Sequence, residues 1–456
     1  MGHRNEHLQT EGDINISQQR QQWYDAIHDE ATQKALARDA DHFLHQALST
    51  PCLDVLASSS GVRLTSLAGK SYYDFHGNNV HQLGYHNEYI LNRVKRQLDV
   101  LAFSPRRFTN LPAIALAERI ATLTDQTLPR VLFAPGGTSA ISMALKLARL
   151  VTGKYKTIAM YDSFHGASMD SISLGGEYVF QQGLGPLMAG SVHVPPINTY
   201  RGMWFDHDNE PGDLAYADYL EYVIEKEGDV GVLVAETVRS TTVHVPSVPY
   251  WRRVRELCDR HGVLLVLDEI PIGMGRTGSV FAYQQYGIIP DILVLGKGLG
   301  AGIIPMAAIA CRAELNVAAR GSLGHFTHEK NPLGSEAALA AFDYMEEQDV
   351  LAHVATLSKL LKSRLHAMQA RFDVIGDVRG VGLLWGVELV TDRQTKAKAS
   401  ELAENVLYRC LELGLSLKVS DGNVLSLYPP LVITEDELNE ALDILETALN
   451  NELKEN

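Results

Sequence analysis

Cysteine is scarce in this 456-residue sequence, and the four that occur lie far apart at positions 52, 258, 311 and 410. None forms a CxxC pair, which argues against a zinc site or a disulfide framework and suits a reducing cytoplasm. No apolar run reaches the roughly 18 residues that a membrane span requires. The polar N-terminus MGHRNEHLQTEGD also lacks the apolar core of a signal peptide. We therefore expect a cytoplasmic protein with no membrane segment.

Basic residues are also fewer than acidic ones in this sequence. The formal net charge is -15, and no long basic run occurs, which argues against binding to a phosphate backbone. No nucleic-acid partner is expected. The apolar share of 46% and the charged share of 21% are ordinary for a globular protein, and the length allows two or three domains.

Short apolar runs alternate with helical patterns between about residues 70 and 320. The runs are continuous, as in 230-VGVLVAE-236 and 263-VLLVLDE-269, which is typical of parallel strands covered by helices on both faces. The predicted fold class is α/β: an N-terminal arm and helix (1–70), a large domain with a mostly parallel sheet (71–330) and a smaller C-terminal α+β domain (331–456). One helix is predicted over 18–48 and another over 335–370. Thr434 and Glu437 have capping-box spacing at the start of the last helix.

Several familiar motifs are missing. The strand ending in Asp268 and Glu269 resembles a Walker B strand, but no GxxxxGK[ST] loop accompanies it. The segment 298-GLGAG-302 is only half a dinucleotide fingerprint, and 328-HEKNP-332 lacks the second histidine of a zinc-protease helix. No GxSxG occurs. A P-loop ATPase, a metalloprotease and a serine hydrolase are therefore not predicted, and no metal site is expected.

Four polar features follow predicted strands. The first is an anion cradle at a helix N-terminus in 134-APGGTSA-140, and the second is the aromatic–histidine pair of 162-DSFHG-166. The third is Asp268, and the fourth is Lys297, which lies between two glycines. Each alone has an ordinary structural explanation, such as a plain turn, a core aromatic or a surface lysine. Together they match pyridoxal 5'-phosphate (PLP), which has a phosphate, a flat ring, a pyridine nitrogen that needs a carboxylate, and an aldehyde that needs a lysine.

The sequence resembles the class III aminotransferases, PLP enzymes of fold type I, from about residue 60 onward. The motifs that carry the resemblance are GGTSAISMALKLAR, FHG, DEIPIGMGRTG, PDILVLGKGLGAG, HFTHEKNPLGSEAALA and RGVGLLWGVEL. The resemblance implies that Lys297 forms the Schiff base and that Asp268 pairs with the pyridinium. It also implies a homodimer with shared active sites, in which Thr327 reaches the phosphate of the partner subunit. The cofactor-binding residues implied are Gly136, Gly137, Thr138, Phe164, His165, Glu236, Asp268, Ile270, Lys297 and Thr327.

The departures from the family pattern concern the substrate. Transaminating members usually carry an arginine that clamps the substrate α-carboxylate where this sequence has Ser426. The glutamate that pairs with this arginine when it is idle is replaced by Thr241. Pro271 replaces a glutamine that usually bonds the ring hydroxyl. Without a carboxylate clamp, an ordinary transaminase loses its main anchor for the keto acid.

The missing clamp favours a branch of the family that eliminates a β-leaving group from small phosphonate amines. The expected substrate is a β-hydroxy amine that bears an anionic phosphonate, such as 1-hydroxy-2-aminoethylphosphonate, which would give phosphonoacetaldehyde and ammonia. Lys297 would be the general base. Arg239, Arg106 and Arg107 are candidates for holding the phosphonate. The alternatives are an aminotransferase acting on an amine such as 2-aminoethylphosphonate, and a non-catalytic protein that binds a small molecule.

Overall fold

The fold is given by a computed structural model that describes residues 17–27, 29–47, 49–204 and 212–455. Residues 1–16 of the predicted N-terminal arm lie outside the described residues. The helices are α1 (Gln18–Asp25), α2 (Glu30–His42), α3 (Glu88–Val100), α4 (Leu111–Leu123), α5 (Gly137–Thr152), α6 (Met169–Leu174), α7 (Leu214–Glu227), α8 (Val248–His261), α9 (Pro332–Glu347), α10 (Val350–Arg371), α11 (Ser400–Leu413) and α12 (Glu435–Glu455).

The strands fall into three sheets. They are β1 (Leu56–Ser60), β2 (Arg63–Ser66), β3 (Ser71–Asp74), β4 (Arg130–Ala134), β5 (Lys156–Met160), β6 (Ser191–Val194), β7 (Val230–Glu236), β8 (Leu264–Asp268), β9 (Ile292–Leu295), β10 (Ala307–Cys311), β11 (Ile375–Val381), β12 (Leu384–Asp392), β13 (Ala397–Lys398), β14 (Leu415–Ser416), β15 (Lys418–Ser420) and β16 (Val424–Leu427).

The central sheet has seven strands in the order β4-β10-β9-β8-β7-β5-β6. All strands are parallel except β10, which is antiparallel to both of its neighbours. Every residue of β7 is buried, because helices cover both faces, and this explains the continuous apolar runs of the sequence. The α/β fold class predicted from those runs is confirmed.

Two smaller sheets complete the fold. The C-terminal domain contains the antiparallel order β11-β12-β16-β15, with β13 beside β12. The other sheet, β1-β2-β3-β14, joins the N-terminal region to the C-terminal domain, because β14 pairs in parallel with β3. The strands of this sheet come from both sides of residue 70. The domain division predicted at residue 70 therefore stays a prediction.

Two helices predicted as continuous are broken. The segment 18–48 contains α1 and α2, and Asp29 caps the second of these by accepting a hydrogen bond from the Thr32 N–H at 2.7 Å. The segment 335–370 lies across α9 and α10, which are separated at Asp349, whose φ of 47° is left-handed. The last helix begins as predicted: Thr434 and Glu437 form a reciprocal capping box.

None of the helices within the described ranges is long and apolar enough to cross a membrane.

Candidate active site

A cavity of about 960 Å³ lies at the carboxyl ends of the parallel strands, where ligands of such sheets bind. The strands bring together side chains that are far apart in the sequence, because β4, β7, β8 and β9 all end at this edge. The cavity is lined by nine of the residues predicted from the sequence: Gly136, Gly137, Thr138, Phe164, His165, Glu236, Asp268, Ile270 and Lys297.

One wall is a cradle at the start of α5. The first N–H groups of a helix have no partner within the helix and attract anions, and the N-cap residue Gly136 has no side chain to satisfy them. A Cβ at Gly137 would lie 2.7 Å from the Ile270 side chain, and a Cβ at Gly166, whose φ is +124°, would lie 2.4 Å from Thr138 Oγ1. Side chains larger than hydrogen would therefore disrupt the cradle, which has the chemistry of a phosphate site.

The two acids at the end of β8 serve different purposes. Asp268 is 1% exposed, and its Oδ2 lies 2.8 Å from Nδ1 of buried His165. Glu269 instead accepts hydrogen bonds from the backbone N–H groups of Ala282 and Tyr283. Burial raises the pKa of Glu269 to about 7. Glu269 therefore stabilises the loop that follows the strand, and Asp268 is the acid that lines the cavity.

Phe164 and Glu236 lie beside this acid. Phe164 is 37% exposed, and its ring centroid lies 4.6 Å from that of Phe180, with the planes inclined at 47°. Glu236 Oε2 accepts a hydrogen bond from the Ser240 N–H at 3.0 Å. An aromatic face is therefore available in the cavity for a flat ring, and the conformation of the loop after β7 is held by Glu236.

Lys297 begins a tight turn directly after β9. Its φ is 47°, an uncommon left-handed conformation for a residue with a side chain. The following Gly298 allows close packing, because a Cβ there would lie 2.5 Å from Gln82 Oε1. The turn thus places Lys297 at the cavity wall.

Ser426 and Thr241, two of the three departures from the family pattern, are in direct contact. Ser426 is fully buried, and its hydroxyl donates a hydrogen bond to the carbonyl oxygen of Thr241 at 2.7 Å. The Tyr428 hydroxyl donates to the carbonyl oxygen of Ser240. A neutral hydrogen bond therefore stands where the resemblance implies an arginine–glutamate pair.

Four predicted residues do not line the cavity. The Nη atoms of Arg239 lie 3.9 Å from Asp162 and 3.8 Å from Glu177. Arg106 and Arg107 are exposed, and Thr327 is exposed as well. The roles of Arg239, Arg106 and Arg107 as phosphonate ligands stay predictions. The contribution of Thr327 to the partner's site also stays a prediction.

Two cationic residues of the cavity carry no motif in the sequence. Arg20 of α1 and Lys418 of β15 both line the cavity. His76 lies near Lys418, and burial together with the charges of Lys418 and Lys297 lowers the pKa of His76 to about 4. No local pattern marks these residues, because only the tertiary fold brings α1 and β15 to the strand ends.

Comparisons with known proteins agree with this geometry. The family model of class-III aminotransferases matches residues 46–449. The (R)-1-hydroxy-2-aminoethylphosphonate ammonia-lyase of Vibrio splendidus is 52% identical over 97% of this chain and 95% of that protein. The leucine/methionine racemase of Thermococcus litoralis is 33% identical over 87% of this chain and 90% of its own length.

Solved structures share the fold. A PLP-bound amine transaminase from an uncultivated Pseudomonas species has a TM-score of 0.85 at 29% identity, covering 90% of this chain and 98% of that one. An omega transaminase from Pseudomonas jessenii, in complex with PMP, has a TM-score of 0.87 at 27% identity. The match covers 92% of this chain and 98% of that one.

Proposed function

The chain belongs to the class III aminotransferase family, and from this premise we propose that it is a PLP-dependent ammonia-lyase. Its proposed substrate is a small β-hydroxy amine bearing a phosphonate, such as (R)-1-hydroxy-2-aminoethylphosphonate, and its products are phosphonoacetaldehyde and ammonia. The observation that carries the proposal is the neutral Ser426–Thr241 contact, which leaves no carboxylate clamp at that position. The 52% identity to the Vibrio splendidus ammonia-lyase over nearly the whole chain supports it.

PLP is the cofactor that the family and its PLP-bound structural neighbours indicate, and the cavity fits it. The N-terminus of α5 and Thr138 would hold the phosphate, Phe164 would face the ring, and Asp268 would pair with the ring nitrogen. Lys297 would bond to the aldehyde. PLP supplies an electron sink that stabilises negative charge on the carbon bearing the amine.

Lys297 is proposed to move the proton. The substrate amine would displace Lys297 from the aldehyde, and the freed, uncharged Lys297 amine would take a proton from the carbon that bears the substrate nitrogen. The neighbouring carbon then loses its hydroxyl group as water. Hydrolysis of the released enamine, after it tautomerises to an imine, uses one water and gives the aldehyde and ammonia. One water is lost and one is consumed, and the nitrogen leaves as ammonia without net oxidation or reduction, so no keto acid is needed to accept the amino group.

The reaction type is tested by assaying ammonia and aldehyde with and without a keto acid. The expected result is sustained release of both products from 1-hydroxy-2-aminoethylphosphonate by the holoenzyme alone, unchanged by added pyruvate. 2-Aminoethylphosphonate is the matched control, because it lacks the hydroxyl leaving group. A single equivalent of product per active site, with multiple turnovers restored by pyruvate, would instead establish the aminotransferase alternative.

The functional unit is proposed to be a homodimer. Large apolar side chains at the end of α3, in the following loop and at the start of α4 are exposed: Leu98, Val100, Leu101, Phe103, Phe108, Leu111 and Ile114. This surface is continuous with the segment of Thr327, because the Phe103 and His328 rings lie 5.2 Å apart. A second copy of the chain would cover the apolar surface and bring Thr327 to the cradle of its partner.

Phe108→Asp is expected to shift the protein from dimer to monomer and to weaken PLP retention, because the charge would be buried without a partner at the proposed interface. Sedimentation velocity at several concentrations measures the first effect, and cofactor absorbance after dialysis measures the second. Ile289→Asp, at an exposed apolar residue outside this surface, is the control and should leave both unchanged. A fully active wild-type monomer at assay dilution would contradict the shared site.

A further inference from the structure

The short turn after β3 has an unusual backbone. Gly77, Asn78 and Asn79 follow one another with φ angles of 46°, 47° and 57°. Left-handed conformations are costly for residues with a side chain, and they persist where the surrounding structure holds them in place, often at functional sites. This turn forms part of the cavity wall, since His76, Asn78 and Asn79 all line the cavity.

The turn is held in place by the buried carboxylate of Asp74. Its Oδ1 accepts hydrogen bonds from the N–H groups of His76 and Gly77 at 2.9 and 3.0 Å, and its Oδ2 accepts one from the Tyr85 hydroxyl at 2.6 Å. A Cβ at Gly77 would overlap the ring of His81. The fold therefore fixes the point at which the His76 side chain leaves the backbone.

Two histidines within the described ranges line the cavity, His76 and His165. The Nδ1 atom of His165 lies 2.8 Å from Asp268 Oδ2, whereas the imidazole of His76 makes no hydrogen bond to a described residue. Burial, together with the charges of Lys418 and Lys297, lowers the pKa of His76 to about 4. The ring is therefore neutral near pH 7 and keeps one N–H donor and one acceptor nitrogen. Both lysines also line the cavity, so the imidazole lies on the cavity side of the turn.

A second polar group of this turn lacks a partner. Asn79 is 5% exposed, and its Oδ1 forms no hydrogen bond within the described part of the chain. A buried polar atom costs free energy unless it is hydrogen-bonded. The amide therefore also indicates that a polar ligand or an ordered water occupies the cavity next to the turn.

The proposed reaction needs a hydrogen-bond donor at the group that leaves. When the carbon–oxygen bond breaks, its electron pair stays on the oxygen, which needs one proton to depart as water. Lys297 holds the proton that it took from the neighbouring carbon, and transfer of this proton to the oxygen completes the water and returns the lysine to its uncharged form. A donor preorganised at the oxygen would stabilise the negative charge that develops there.

We propose that His76 is a catalytic residue whose ring N–H donates a hydrogen bond to the leaving hydroxyl of the substrate. This inference rests on the proposed function. The imidazole keeps its own proton throughout, so it orients the hydroxyl and stabilises the developing charge without a change of protonation state. A hydroxyl both donates and accepts hydrogen bonds and so matches a neutral imidazole, whereas a phosphonate is better matched by a cation.

The test changes the leaving group. His76→Phe keeps a flat ring and removes the N–H donor, and its kcat for ammonia release from 1-hydroxy-2-aminoethylphosphonate should fall by roughly 10²- to 10³-fold, as when one preorganised donor is lost. The kcat for 1-chloro-2-aminoethylphosphonate should be nearly unaffected, because chloride departs without a proton. His76→Gln retains an N–H donor and should recover part of the rate. His366→Phe, at an exposed histidine of α10, is the control.

A second measurement isolates proton removal by Lys297. 2-Aminoethylphosphonate has no leaving group, and exchange of hydrogen for deuterium at its amine-bearing carbon in D₂O, followed by NMR, should proceed at the wild-type rate in His76→Phe. Equal losses with the hydroxyl and chloride substrates, no loss with either, or slowed exchange would overturn the role of His76 and leave the lyase intact. A wild type that releases ammonia from neither substrate without a keto acid would overturn the proposed function and this role with it. Thermal unfolding and PLP absorbance check that each variant retains its fold and cofactor.

Discussion

Lys297→Ala is expected to abolish covalent attachment of PLP and to lower turnover by roughly 10⁴-fold, the upper end of what removing a general base costs. The loss is large because one amine is proposed both to bond to the cofactor and to carry the proton. Borohydride reduction of the PLP-loaded protein, followed by peptide mass spectrometry, should locate the cofactor on the peptide containing Lys297 in the wild type. No adduct should form in the variant.

Lys362→Ala, at an exposed lysine of α10, is the control and should retain the adduct and full activity. A wild-type protein that remains colourless after incubation with PLP, with no reducible adduct, would contradict the PLP enzyme and favour the non-catalytic alternative. An adduct on a different lysine would instead show that the turn after β9 has another role.

Asp268→Asn should keep PLP bound but lower kcat by roughly 10²- to 10³-fold, comparable to removal of one preorganised electrostatic contact in an active site. The side chain is nearly the same shape, so the contact with His165 can persist while the negative charge opposite the ring nitrogen is lost. Steady-state kinetics measure kcat, and absorbance after dialysis measures retention of the cofactor.

Asp218→Asn removes a carboxylate from the surface, where Asp218 is paired with Arg253, and serves as the matched control. Near wild-type kcat in Asp268→Asn would mean that the buried carboxylate holds His165 in place and does not tune the ring. Loss of cofactor binding together with activity would assign Asp268 to binding alone.

The central site was accessible from the sequence because each part follows a buried strand. Continuous apolar runs locate β7, β8 and β9, and the carboxyl ends of parallel strands meet at one edge of the sheet. Asp268 and Lys297 could therefore be placed together without a structure. The glycines around the cradle carried further information, since a Cβ at Gly166 would overlap Thr138.

The features that escaped prediction depend on contacts between distant segments. Arg20 and Lys418 lie in ordinary stretches of sequence, and only the packing of α1 and the pairing of β15 with β16 bring them to the cavity. The break between α9 and α10 depends on the left-handed conformation of Asp349, which helical periodicity does not encode. Arg239 stays a predicted anion ligand, and the structure adds that Asp162 and Glu177 lie near its guanidinium.

The pairing of β14 with β3 constrains the order in which the protein can be assembled. Leu415 is aligned with Tyr73, and the Phe75 N–H donates a hydrogen bond to the carbonyl oxygen of Ser416. This pairing closes the long segment of chain between Tyr73 and Leu415. Closing a long loop is entropically costly and slow, so we expect this contact to form late in folding. Because His76 follows one strand and Lys418 follows the other, a nascent chain still on the ribosome lacks one side of the cavity until its final segment has been synthesised. We therefore expect the complete cavity to form only after the segment that contains Lys418 has been synthesised.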